Sequence, residues 1–352
     1  MRDGDLLILR WEEVAALLEG REAEIIEAVR AAYEAHARGD SQLPHSLFLR
    51  FPDNLKNRII ALPAYLNHHG GVAGVKWVSS FPDNLSLGLD RASAVLVLNS
   101  MQTGRPEALI EGSIISAKRT AASAALAARH LHAGGRPDCV GIIGAGLINH
   151  EIVRFLLTTF PGLKNFMVYD LDPERSRQFK LKCEDAFDGV AVETAPDIGS
   201  VLRAAPLISF ATTAARPHLD DLSECAPGST ILHVSLRDLS PEVILSCDNV
   251  VDDVDHVCRA ETSVHLAEQL VGHRDFIRCA LAEILTGDAP PRRDEESVAV
   301  FSPFGLGVLD IALGKLVIDL AGAGGKGTVV RSFMPAPQIK TAPPTRVRKQ
   351  DE

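Results

Sequence analysis

The sequence predicts an α/β protein in which a doubly wound parallel sheet is joined to a second, α+β domain. Three observations carry the prediction. From Pro137 onward, short apolar and β-branched runs alternate with helical segments, the pattern of a parallel sheet covered on both faces. One of these runs, VGIIGAG (140–146), breaks into glycine just before an amphipathic helix. Finally, 352 residues are too many for one ordinary domain.

The elements follow in chain order. Apolar positions recur at helical spacing over 11–38, which predicts one or two opening helices. From 47 to 78 the texture is strand-like, in SLFLRF, RIIALPAYL and GGVAGVKWVSS, punctuated by PDN and HHGG turns. SAVLVLNSMQTGRPEALIEG reads as strand, turn and strand, bending at Thr103 and Gly104. The alanine-rich run 113–135 predicts a long helix stopped by Gly134 and Gly135. Strands are then expected in DCVGIIGAG, NFMVYDLD, VAVETA, PLISFATT, STILHVS and NVVDDV. Two helices at about 262–271 and 276–286, a strand in SVAVFSPFG and a last helix at about 306–321 complete the expectation. A glycine-, proline- and base-rich end follows, expected to be mobile over 335–352.

Composition narrows the class. Hydrophobic residues make up 46% and charged residues 23%, so a large core is affordable. A net charge of -10 argues against nucleic acid or an anionic membrane as the main partner. The start shows no secretory signal, and no run reaches the length of a membrane span. Six scattered cysteines with no C-x-x-C pair read as buried free thiols, which points to the cytoplasm.

The glycine run supplies the first chemistry. Gly144 would allow the tight turn, and Gly146 would let a pyrophosphate approach the backbone at the helix N-terminus. Asp170 ends the next expected strand about two dozen residues later. It would accept hydrogen bonds from the adenosine ribose and repel a 2′-phosphate, which favours NAD over NADP. Asn149 stands where a third small residue is usual, and predicts a slightly wider helix–sheet contact.

The other candidates are charges in apolar surroundings. Lys76 lies inside GVAGVKWVSS, where burial demands a partner or a bound anion. With Arg119, and with Arg50 and Arg58 on nearby strands, it would clamp a substrate carboxylate. Alternatively, Lys76 and Arg119 neutralise structural acids such as Glu107 or Glu111. In HVSLRDLSPE, Asp238 falls at a strand's carboxyl end and is a candidate proton acceptor. Read from these residues alone, Asp238 or Ser240 is better taken as the cap of the helix that Pro241 begins. His233 is expected in the core. The acids of DDVDH (252–256) read as a solvated strand end, and no metal site is expected.

These segments, together with TGRPEALIEGSIISAKRTAAS, YDLD and SPFGLGVLDIA, resemble the ornithine cyclodeaminase/mu-crystallin family over about residues 5–330. The resemblance implies a Rossmann-type NAD domain at 133–305. It also implies a substrate-binding and dimerisation domain formed from 1–132 and 306–334, and a homodimer. Carried onto this chain, it places the substrate lysine at Lys76, the helix-start arginine at Arg119 near substrate and cofactor, and the catalytic aspartate at Asp238. NAD-binding positions fall on Gly144, Ala145, Gly146, Leu147 and Asp170, with Thr212, Thr213, Ser235 and Leu236 on the nicotinamide side.

The LPHSLFLRFPDN and SLRDLSPE segments are most similar to a branch that supplies 2,3-diaminopropionate for siderophores or other natural products. That similarity implies NAD-dependent oxidation and hydrolysis of the C–N bond of an amino-acid conjugate, N-(2-amino-2-carboxyethyl)-L-glutamate. Ornithine cyclodeamination or a related imine reduction, and a non-catalytic nucleotide-binding role, are the alternatives the family offers. One departure stands out. Where the family often has an arginine after a proline, this chain has His45 after Pro44, leaving Arg50 or Arg58 to bind the carboxylate.

Overall fold

The computed structural model describes residues 4–68 and 70–335. The tail expected to be mobile lies outside the described residues beyond Pro335. Two eight-stranded sheets organise the chain.

The first sheet runs Thr328–Val330, Leu6–Leu9, Pro106–Glu111, Ala92–Asn99, Val72–Ser80, Asn54–Leu66 and Ser41–Gln42, with Leu47–Phe51 also paired to Asn54–Leu66. Neighbours are antiparallel except Leu6–Leu9 beside Pro106–Glu111. Two short strands at one side of the sheet, Leu6–Leu9 and Thr328–Val330, were not foreseen. They pair with each other from opposite ends of the chain, and Leu6–Leu9 also pairs with Pro106–Glu111.

Register decides which side chains enter the core, because successive residues of a strand point to opposite faces. Leu62, Lys76, Leu96 and Ile110 lie side by side across four strands and are all buried. Leu47, Ala61, Trp77 and Val95 form the next row. Of these, Leu47, Trp77 and Val95 are exposed. The apolar run GVAGVKWV thus places its lysine inside and its tryptophan outside.

Helices cover the inner face. Two opening helices form, Trp11–Leu18 and Glu22–Ala37. The last helix, Gly307–Gly324, crosses Asn54–Leu66, Val72–Ser80 and Ala92–Asn99. The alanine-rich helix Ser113–Leu131 is buried along most of its length, since small side chains let it pack on several sides at once. It contacts the helix Leu147–Thr159 and the strand Thr230–His233, and so joins the two sheets.

The second sheet is wholly parallel and Rossmann-like: Ala191–Thr194, Asn165–Tyr169, Cys139–Ile143, Leu207–Phe210, Thr230–His233, Ala299–Ser302, Asp248–Val251 and Ile277–Ala280. The chain winds outward from Cys139–Ile143 in one direction and from Leu207–Phe210 in the other. Such a switch point opens a crevice at the carboxyl ends of the strands, where ligands bind in sheets of this kind.

Two sequence expectations change here. The helix expected at 276–286 is a strand, Ile277–Ala280, followed by a short helix, Leu281–Thr286. The first part joins the sheet as its edge strand, captured by Asp248–Val251. The cysteines are all unpaired, but Cys139 and Cys225 are only partly buried. No described helix is long and apolar enough to cross a membrane.

Candidate functional site

The glycine loop sits at the switch point. Gly144 has φ +94, and a Cβ there would lie 2.6 Å from the carbonyl oxygen of Ala211. Only glycine can make this turn against the neighbouring strand. Gly146 caps the helix Leu147–Thr159, and a Cβ on it would meet nothing within 4 Å, so the space above the helix N-terminus is open. Ala145 N–H donates to Asp170 Oδ2 at 2.8 Å. Arg175 lies 3.6 Å from the same carboxylate, a cation five residues on that the sequence reading did not weigh. Leu147 is exposed beside the loop.

Asn149 has a role its sequence position did not suggest. It is fully buried. Its Nδ2 donates to the carbonyls of Ile143 (2.9 Å) and Gly144 (2.7 Å), and its Oδ1 accepts from Ser209 Oγ at 2.7 Å. The side chain pins the strand end, the loop and the next strand together, where a looser contact was expected. Asn149→Ala would strand these buried groups and is expected to cost about 2–4 kcal/mol. Thermal or urea denaturation measures the loss, and an unchanged midpoint would remove Asn149 from this role.

On the inner face of the first sheet, Lys76 and Arg119 share one acid. Lys76 Nζ lies 2.7 Å from Asp310 Oδ2, and Arg119 Nε donates to Asp310 Oδ1 at 3.0 Å. Lys76 also donates to Ser116 Oγ at 3.2 Å. Lys76 is 2% exposed and Asp310 fully buried. Burial and then the Arg119 charge pull the Lys76 ammonium down to about 8, against the opposing pull of Asp310.

The acids named as partners from sequence, Glu107 and Glu111, are not used. Glu111 instead accepts from the Ser113 and Ile114 N–H groups at the helix start. Asp310 was missed because it lies 191 residues from Arg119. Its signal was available: it is a lone acid in the apolar run GVLDIALG, as Lys76 is a lone base in its strand.

Asp238 occupies the loop after Thr230–His233. Leu236 in that loop has φ +68, an uncommon conformation for a branched residue. Asp238 is fully buried. Thr212 Oγ1 donates to its Oδ1 and Ser235 Oγ to its Oδ2. His218 Nε2 lies 3.2 Å from Oδ1, and His233 Nε2 3.4 Å from Oδ2. Burial pushes this carboxyl up, but the His233 contact and the two hydroxyls outweigh it and hold Asp238 below the usual range. The helix cap is Ser240, whose side chain accepts from Val243 N–H, so Asp238 is not spent on capping. Thr213 is exposed nearby.

The two constellations are linked through the segment 302–305. Buried His233 reaches Ser302 Oγ at 3.2 Å. Phe304 and Gly305 N–H groups donate to Asp252 at 2.8 and 2.7 Å. Gly305 (φ +93) lies against Arg119, and a Cβ there would come within 2.7 Å of its guanidinium. Asp252 is therefore buried, where a solvated acid was expected, and burial pushes its carboxyl up to about 6. Asp253 instead takes His256 Nδ1 (2.8 Å) and His36 Nε2 (3.2 Å). Among the described residues no acid and histidine group could hold a metal ion.

Cations gather in front of Asp238. Arg50 and Arg58 pair across adjacent strands. Burial, and then the charges of Arg237, Arg91 and Arg50, lower the Arg58 guanidinium. Arg237 directly precedes Asp238 and donates to Ala260 O at 2.6 Å, while Arg91 approaches Ser80 Oγ at 3.5 Å. Among the described residues, none of Arg50, Arg58, Arg91 and Arg237 has a carboxylate within 4 Å. Sequence reading named the first two and missed Arg91 and Arg237. Arg50 also lines a cavity of about 800 Å³ with His45, Phe48, His256, Arg259 and Phe304.

Comparison with known proteins agrees with this architecture. The chain is 28% identical over 314 residues to N-((2S)-2-amino-2-carboxyethyl)-L-glutamate dehydrogenase of Staphylococcus aureus, covering 88% of this chain and 93% of that protein. Its fold matches Delta(1)-pyrroline-2-carboxylate reductase of Thermococcus litoralis, solved with NADH and L-proline, at TM-score 0.85 and 26% identity, covering 92% and 99% of the two chains. It also matches an archaeal alanine dehydrogenase dimer with bound NAD, at TM-score 0.83 and 26% identity, covering 93% and 99%. Residues 7–325 match the ornithine cyclodeaminase/mu-crystallin family, and the chain belongs to that family.

Proposed function

We propose that this chain is an NAD-dependent dehydrogenase that oxidises and hydrolyses the C–N bond of N-(2-amino-2-carboxyethyl)-L-glutamate, releasing L-2,3-diaminopropionate and 2-oxoglutarate. The observation that carries the reading is the cluster of Arg50, Arg58, Arg91 and Arg237 beside the Asp238 loop, in which, among the described residues, no arginine has a carboxylate within 4 Å and Arg237 feels Glu261 and Asp238 only from farther away. Clustered cations of this kind call for an anionic ligand. A conjugate with three carboxylates meets that demand. Ornithine, with a second ammonium, would be repelled by it. The similar dehydrogenase of S. aureus supports the same substrate.

The residues present suit a dinucleotide. The open helix N-terminus at Gly146 would hold the pyrophosphate, and Asp170 would take the ribose hydroxyls. Thr212, Ser235 and Leu236 would line the nicotinamide side. When bound, NAD supplies the two-electron acceptor.

The chain supplies the rest. Lys76 and Arg119, aligned by Asp310, hold the α-carboxylate of the glutamate part. The arginine cluster holds the other carboxylates. Asp238 anchors the acid–base chemistry at the substrate nitrogen and at the attacking water. The test is direct: incubation with the conjugate and NAD should yield NADH and 2-oxoglutarate in equal amounts. Turnover of ornithine to proline and ammonia, with no NADH formed, would replace this reading with cyclodeamination.

The homodimer is part of the proposal. The outward row of Leu47, Trp77 and Val95 is 69%, 45% and 38% exposed, and a second copy would cover such an apolar strip. Trp77→Glu is expected to shift the assembly to monomers while leaving the inner-face Lys76 in place. Sedimentation velocity reads the change, and a dimer that survives the substitution would place the interface elsewhere. A cytoplasmic setting completes the proposal, supported by the unpaired cysteines.

A further inference from the structure

Asp238 poses a problem for any step in which it meets the substrate directly. It is fully buried. Its Oδ1 is engaged by Thr212 and His218 and its Oδ2 by Ser235, while His233 Nε2, which accepts the Asp238 backbone N–H at 3.2 Å, lies 3.4 Å from Oδ2. A carboxylate so well supplied with donors is a weak base, and little of it is left to reach a ligand.

His218 is differently placed. Its side chain is 38% exposed, while one ring nitrogen, Nε2, faces Asp238 Oδ1 at 3.2 Å. Among the described residues its other nitrogen makes no hydrogen bond. The backbone fixes the pair: the N–H groups of His218 and Leu219 both donate to Asp238 O, at 2.9 and 3.0 Å. The segment that carries His218 leaves the strand Leu207–Phe210 at its carboxyl end. It begins at Ala211 and Thr212, which pack against Gly144 of the dinucleotide loop.

We propose that His218 is the group that exchanges the proton with the substrate, with Asp238 as the buried anion behind it. This rests on the substrate reading above. With Nε2–H directed at Asp238, the neutral ring presents Nδ1 as a base. The Nδ1 lone pair takes the N–H proton of the substrate's secondary ammonium. The freed amine can then lose hydride from the α-carbon to NAD⁺, forming the C=N bond. The imidazolium releases that proton to solvent, and in the second half the freed Nδ1 takes a proton from the attacking water as its oxygen bonds to that carbon. This proton returns to nitrogen, and as the C–N bond breaks and the C=O forms the hydroxyl proton also passes to the departing amine, which balances the reaction as conjugate, NAD⁺ and water giving 2-oxoglutarate, 2,3-diaminopropionate, NADH and H⁺.

The groups around the ring fit the role. Asp238 faces it from the loop after Thr230–His233, with buried His233 behind that carboxylate. Arg237 flanks Asp238, and Arg216 and Asp220 lie on the ring's own segment. Asp238 is the one carboxylate within 4 Å of the ring among the described residues.

The test uses the full chain with the conjugate and NAD. His218→Gln is expected to lower kcat by about 10²–10⁴-fold, with KM and NAD affinity nearly unchanged. The pH profile of kcat in that variant should depart from that of the wild type. Imidazole added to His218→Ala should restore part of the rate. Separately, the ¹⁵N NMR signals of the His218 ring, identified by their absence from His218→Gln, should report the Nε2–H tautomer in the wild type and should move in Asp238→Asn, which removes the anion.

A His218→Gln variant with wild-type kcat and pH profile would overturn the proposal. So would a His218 ring spectrum that ignores Asp238→Asn. If the wild type leaves the conjugate unchanged, the substrate reading fails, and the NMR spectra still decide whether His218 and Asp238 act as a pair.

Discussion

Replacing Asp310 by alanine is expected to cost about 3–5 kcal/mol of stability, the penalty for leaving buried charges without their partner. One carboxylate serves both Lys76 and Arg119, so its loss leaves two cations in the interior. A stable domain has only about 5–15 kcal/mol in hand, and a chain so changed would be close to unfolding. Lys76→Met should cost less, because Asp310 would keep Arg119 at 3.0 Å and the methionine would fill the space. Urea denaturation of both variants settles the order. If Lys76→Met proved the more damaging, Asp310 would not be the hub of the group.

Lys76→Met has its larger effect on turnover. Removing one partner of a buried, hydrogen-bonded charge contact costs about 2–5 kcal/mol, or about 30- to 4,000-fold in kcat/KM at 1.4 kcal/mol per decade. The same residue predicts a pH dependence. Burial and the Arg119 charge hold Lys76 at about 8, and only the ammonium form attracts a carboxylate. Substrate binding should therefore weaken as pH rises through about 8, with KM climbing on the alkaline side. Lys76→Met should lack that alkaline rise. Steady-state kinetics across the range compares the two, and an identical KM profile in the variant would assign the titration to another group.

Much of this was legible in the sequence, and specific residues show why. Gly144 needs its positive φ for local reasons, and a strand that ends in glycine before an amphipathic helix announces it. Lys76 was conspicuous because an ammonium inside an apolar strand must have a partner. What could not be read was who the partner is. Glu107 and Glu111 are near in sequence, yet the helix Gly307–Gly324 brings Asp310 across the sheet instead. Asn149 looked like a defect in a fingerprint and proved to be a triple hydrogen-bond anchor. Its partner Ser209 lies on another strand 60 residues away.

Sequence by itself determined the alternation of strands and helices, the phosphate-type loop with Asp170, and the list of charges that burial would make costly. These depend on period, on backbone sterics and on desolvation, all of which act within a few residues. Tertiary structure decided the rest: Asp310 between Lys76 and Arg119, Arg91 and Arg237 beside Arg58, and His218 against Asp238. Those pairings join residues far apart in the chain. Electrostatic and hydrogen-bond partners are chosen by distance in space, and only the packed sheets and helices set that distance.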